Sequence, residues 1–94
     1  MVGDQICAAI RDKKVIQFRY KGAIRRAEPH ALGYDGSNIL TLSAWQLAGG
    51  SGQEFRDFHV DKLSELATTG QTFASARQGY NPNDPTLSRV VCRL

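Results

Sequence analysis

At 94 residues, with 41% hydrophobic and 22% charged side chains, the chain has the composition of one small globular domain, not of a disordered tract, and two separate cores would each be too small to offset chain entropy. No apolar run approaches the roughly 18 residues that span a bilayer, and Met1-Val2-Gly3-Asp4 lacks a basic segment leading into an apolar one, so a cytoplasmic chain with no membrane partner is expected. The formal net charge of +3 is unevenly spread: seven of the twelve basic residues are Arg11, Lys13, Lys14, Arg19, Lys21, Arg25 and Arg26, with Asp12 the one acid among them, and such a cluster either solubilises the surface or gathers phosphates.

Asp4 reads as an N-cap, with Ile6 and Ile10 on one face of a short amphipathic helix over residues 4–13. The period then changes from helical to alternating in Val15-Ile16-Gln17-Phe18-Arg19-Tyr20, a half-buried strand with Ile16, Phe18 and Tyr20 on one side. Lys21-Gly22 is a turn, and residues 23–32 return as a second strand in which Pro29, having no N–H to donate, requires an edge, a bulge or a strand end. Asp35-Gly36 marks the next reversal. Residues 38–45, ending in Ala44-Trp45, are apolar enough to form the central strand.

The loop Ala48-Gly49-Gly50-Ser51-Gly52 joins this strand to a fourth over residues 54–60. Asp61-Lys62-Leu63-Ser64 reads as a tight turn or one helical turn, and residues 65–69 as a fifth strand. Beyond Phe73 the chain is polar and turn-rich through Tyr80-Asn81-Pro82-Asn83-Asp84-Pro85, then ends apolar at Val90-Val91-Cys92, which packs back as a last strand or docks on a partner. Five to six short antiparallel strands behind one helix give a mostly β fold, a small barrel or curled sheet whose closure would remove exposed edges. Cys7 and Cys92, near opposite ends and outside any C-x-x-C pair, read as buried reduced thiols, with a disulfide between the ends as the alternative. No metal site and no cofactor is expected.

The order of these features, and above all Arg26-Ala27-Glu28-Pro29-His30 and Arg56-Asp57-Phe58-His59-Val60-Asp61-Lys62-Leu63, resembles the bacterial WYL domain family over roughly residues 5–73. The resemblance implies an Sm-like, Src-homology-3-like barrel over residues 14–73, a C-terminal extension over residues 74–94 packed on it, and one domain over residues 1–94 of the short, solo kind, with no room for a helix-turn-helix. It also implies a non-catalytic regulatory role in sensing or binding nucleic acid or another anionic ligand. Two departures stand out: Leu40-Thr41-Leu42 replaces the family's Trp-Tyr-Leu, and His59 and Lys62 replace two arginines, whose forked donors match phosphate in a way an ammonium does not.

The resemblance brings Arg26, His30, Arg56, His59 and Lys62 to one face as the ligand-binding set, with guanidinium groups on phosphate oxygens and a histidine adding a pH-dependent donor. The alternatives are ion pairs of Arg26 or Arg56 with Glu28, Asp57 or Asp61, and a backbone contact for His30 in a turn. Arg56 shares strand parity with Phe58 and Val60, so it sits at the barrel rim or follows a bulge near Phe55. Tyr20 and Trp45 either stack on bases or serve as core. Catalysis is not expected, because no nucleophile–base pair, carboxylate pair or phosphate-binding loop is visible. The expected partner is single-stranded nucleic acid or a nucleotide-like anion. The rival reading is a protein-interaction or homo-oligomerisation module using strand edges and the C-terminal extension.

Overall fold

A computed structural model describes residues 1–50 and 52–94. The helix α1 spans Val2–Arg11 and is followed by strands β1 (Lys14–Tyr20), β2 (Ala23–Asp35), β3 (Leu40–Ala48), β4 (Glu54–His59), β5 (Ser64–Thr72) and β6 (Leu87–Arg93), with a 3-10 turn at Val60–Lys62. The helix begins two residues earlier than expected. Met1 occupies the N-cap position and makes no side-chain cap bond, so Asp4 lies inside the first turn, where its charge suits the helix dipole, and is not the cap.

All six strands join one antiparallel sheet in the order β4-β3-β2-β1-β5, with β6 pairing β2 beyond the end of β1. The hydrogen-bonded path has two ends, β4 and β5, and these do not pair with each other among the described residues. A side chain spans part of the gap: the His59 backbone N–H donates to Tyr20 Oη at 3.2 Å. β2 is the spine. It runs thirteen residues, straight through Pro29, because the β2–β3 register slips between Pro29 and Ala31 and the bulge absorbs the missing donor.

Register assigns the faces. Ile16, Phe18, Ala27, Leu32, Leu42, Ala44 and Phe58 point to one side and, with Ile6, Ala9 and Ile10 of α1, make the core. Phe58 meets Phe18 and Tyr20 edge-on at 4.9 and 5.0 Å. The opposite face carries Glu28, Trp45 and Phe55 in one cross-strand row and is crossed by a strap formed by residues 73–86.

Cys7 of α1 and Cys92 of β6 are joined in a disulfide, their Cα atoms 5.8 Å apart, which corrects the reading of two reduced thiols. Local sequence could not decide this. Pairing of β6 with β2 beside the helix brings the two residues together from 85 positions apart. No helix among the described residues is long and apolar enough to cross a membrane.

Candidate functional site

The densest polar arrangement lies under the strap. Glu28, 4% exposed, receives both nitrogens of an arginine fork: Arg77 Nε donates to Oε1 at 2.8 Å and Arg77 Nη2 to Oε2 at 2.9 Å. The same guanidinium lies over the Trp45 ring, 5.3 Å from its centroid. His30 is fully buried and its partners fix its tautomer. A carbonyl can only accept, so Nδ1–H donates to Glu28 O at 2.8 Å, and Nε2 must then accept the Arg77 backbone N–H at 3.0 Å. The ring stacks on Phe73 and meets Phe55 and Tyr80 edge-on, at centroid distances of 5.6, 5.2 and 5.1 Å. Burial pushes the His30 pKa below its usual value, and the Arg77 charge adds to this.

Beside this knot a cleft of about 200 Å³ opens between β4 and the strap, lined among others by Phe55, Arg56, Asp57, Tyr80, Asn81 and Asp84. Partial burial and the neighbouring Asp84 carboxylate raise the Asp57 pKa. The Tyr80 hydroxyl oxygen is buried and has no hydrogen-bond partner among the described residues, and burial raises its pKa as well.

The ligand set expected from sequence is not gathered on one face. His30 is buried beneath the strap with both ring nitrogens engaged, so it anchors the fold and presents no surface to a ligand. Tyr20, 5% exposed, packs in the core. Trp45 is partly buried between Phe55 and Arg77. Arg26 shares a face with Gln17 and donates to Gln71 Oε1 at 3.2 Å, whereas Arg56 pairs with Ala44 on the core-side face, so the two arginines fall on opposite sides of the sheet. The β3–β4 register runs without a slip from Thr41↔His59 to Gln46↔Glu54, so Arg56 owes its position to the open edge of β4, not to a bulge; it pairs with Glu54 at 3.6 Å. His59 faces Asp35 at 3.7 Å, and Lys62 is exposed on the 3-10 turn.

Arg77 escapes sequence reasoning because nothing local to Ala76-Arg77-Gln78 marks it; only the docked strap gives it a partner. Arg25, one of the clustered cations in the sequence, is 5% exposed, donating from Nη1 to Gln46 Oε1 at 3.0 Å and from Nη2 to Tyr20 O at 3.2 Å. With Arg11 paired to Asp12 and Arg19 to Glu65, the β1–β2 hairpin region keeps Lys13, Lys14, Lys21, Arg25 and Arg26 without a carboxylate within 4.0 Å among the described residues. Compared with protein-family models, curated proteins and solved structures, the chain matches none.

Proposed function

We propose that this chain is a non-catalytic, WYL-like binding domain, its curled sheet an Sm-like barrel in type, that recognises nucleic acid or another phosphate-bearing anion in a regulatory role. The observation that supports this reading is the uncompensated positive charge of the β1–β2 hairpin, where Lys14, Lys21 and Arg26 lie at or near the surface with no acidic partner within 4.0 Å among the described residues. Cations of this kind attract phosphates without specifying a sequence, and affinity then falls with salt as counterions are released. Arg56, His59 and Lys62 form a separate group along β4 and the turn after it, and we assign them a secondary role in binding. The cytoplasmic placement that accompanies the reading is weakened by the Cys7–Cys92 bond, since disulfides persist chiefly in oxidising compartments.

The test is fluorescence anisotropy of short single-stranded DNA and RNA across a salt series. Wild type should bind with an affinity that falls linearly on a log–log plot, and Lys14→Ala/Lys21→Ala/Arg26→Ala should flatten the slope by about 0.7 for each phosphate that is no longer neutralised. No binding at low salt, or a triple variant indistinguishable from wild type, overturns the proposal.

A second reading is favoured by one feature of the sheet. β5 pairs only with β1 among the described residues, and its Leu66–Thr72 stretch carries neither charge nor proline, the devices that normally discourage strand addition. Sedimentation of wild type beside Thr68→Lys tests it: a dimer that dissociates on adding the lysine supports self-association through β5, and a monomer in both refutes it. Truncation after Phe73 is unsuitable for this purpose, because it removes β6 and the disulfide together.

A further inference from the structure

The C-terminal strand is weakly anchored to the rest of the sheet. β6 pairs with β2 alone among the described residues, and its ladder, from Ala31↔Arg93 to Asp35↔Leu87, is interrupted by two register slips. Leu87 is the one buried residue of the strand, and its backbone N–H donates back to Asp84 O at 3.1 Å, which ties it to the end of the strap. Beyond Leu87 the strand is held by Arg89 over the Tyr34 ring at 4.4 Å, by the half-buried Cys92 and Leu94 against the core, and by the Leu94 N–H on His30 O. The elements around it have anchors of their own. α1 inserts Ile6, Ala9 and Ile10 into the core, and the strap is fixed by the Arg77 fork and by Phe73, whose ring stacks on His30 and whose backbone N–H donates to Lys13 O at 3.0 Å. A segment with few buried apolar contacts opens before the core does. The Cys7–Cys92 bond ties this segment covalently to the docked helix, and neither cysteine is fully buried.

We propose that the Cys7–Cys92 bond is a redox switch: its reduction releases residues 88–94 from β2, with Leu87 as the hinge, while α1, β1 to β5 and the strap stay folded. A reductant of the dithiol class supplies the electrons. One of its thiolates attacks a cysteine sulfur, a mixed disulfide forms as the Cys7–Cys92 bond breaks, and the displaced cysteine leaves as a thiolate that takes up a proton. The second thiol of the reductant, as its thiolate, then attacks the mixed disulfide and frees the other cysteine, which is protonated in turn. The reductant departs as a disulfide, and two electrons and two protons have passed to the protein. The two states differ at one edge. Oxidised, the β2 backbone from Ala31 to Tyr34 is paired on both sides, by β3 and by β6; reduced, the β6 side stands open to strand addition, and an arm carrying Arg89 and Arg93 is free. The inference rests neither on anion recognition by the hairpin nor on self-association through β5.

The experiment follows amide chemical shifts and backbone order parameters of the isotope-labelled full chain when oxidised, when reduced with dithiothreitol, and after reoxidation. In the reduced chain the amides of residues 88–94 should move to the shifts of an unfolded peptide and their order parameters should fall from about 0.85 to below about 0.6, while Phe18, Arg25 and Arg77 keep their folded shifts. Reoxidation should reverse the change. Timed alkylation of the reduced chain with iodoacetamide gives a second readout: Cys92 on the freed arm should react at least about tenfold faster than Cys7, which remains on the docked helix. Residues 88–94 that keep their shifts and order after reduction, collapse of the Phe18 and Arg25 signals together with those of β6, or equal alkylation of the two cysteines overturns the proposal. The second of these outcomes would make the bond a staple of the whole domain and not a switch.

Discussion

Arg77 closes on Glu28 with two parallel hydrogen bonds of 2.8 and 2.9 Å, although the two residues are 49 positions apart and the carboxylate is 4% exposed. A nearly buried carboxylate depends on this fork, because removing one member of such a pair leaves the other charge desolvated and unmatched. Arg77→Met should therefore lower unfolding free energy, because it leaves the nearly buried Glu28 carboxylate without its partner. Glu28→Gln in the same chain should recover part of that loss. Urea denaturation of the two single variants and the double variant measures the coupling, and strictly additive effects would show that the fork does not hold the strap.

His30 predicts a pH dependence with a definite sign. Burial keeps its native pKa below the usual 6.5, while in the unfolded chain the ring takes up a proton near that value. Above about 6.5 both states are neutral and the contribution of His30 to stability is fully present; as pH falls below that point the unfolded state binds the extra proton and stability declines until the lowered native pKa is reached. Wild type should lose stability as pH falls below about 6.5, and His30→Gln should flatten that decline. An unchanged slope in the variant would assign the loss to other groups.

Reduction of the Cys7–Cys92 bond frees a chain segment of 85 residues. In the loop-entropy description a closure of that length contributes about 4–5 kcal/mol, so dithiothreitol, or the Cys7→Ala/Cys92→Ala pair, should produce a large fall in Tm. A Tm insensitive to reductant would mean that the helix and β6 hold each other by packing alone.

Gly49 cannot be replaced without backbone movement. Its φ is +91°, and a Cβ there would lie 2.2 Å from the Ile24 carbonyl oxygen and 3.2 Å from Arg25 Cα. Gly49→Ala should cost roughly 2–4 kcal/mol, whereas Gly70→Ala, with nothing within 4 Å of its added carbon, should stay within about 0.5 kcal/mol of wild type. Thermal melts of the two variants check the contrast.

The elements that sequence reveals are those whose signal is local. Alternation in Val15–Tyr20 marks β1 and its inward face, and the apolar run at residues 38–45 marks most of β3. Pro29 announces an edge, a bulge or a strand end because its missing donor is a property of one residue, and the register slip beside it shows the bulge. The helix start is harder to place, since Asp4 resembles a cap wherever it occurs near a helix. The site is less legible still. His30, Arg25 and Tyr20 are polar or amphipathic side chains whose burial depends on what covers them, and the cover comes from other parts of the chain: the strap over His30, and the backbone at Gly49 and Gly50 against Arg25. Arg77's fork and the Cys7–Cys92 bond exist only once the C-terminal segment has folded back.

The fold also brings its first and last elements to one place. Cys7 and Cys92 have Cα atoms 5.8 Å apart, and the Leu94 backbone N–H donates to His30 O at 2.9 Å. A short peptide could therefore splice the ends without disturbing the sheet, and new ends could be opened at the exposed turn around Gly36 and Ser37, giving a circular permutant in which the spine strand and its neighbour β3 become the outermost segments of the chain.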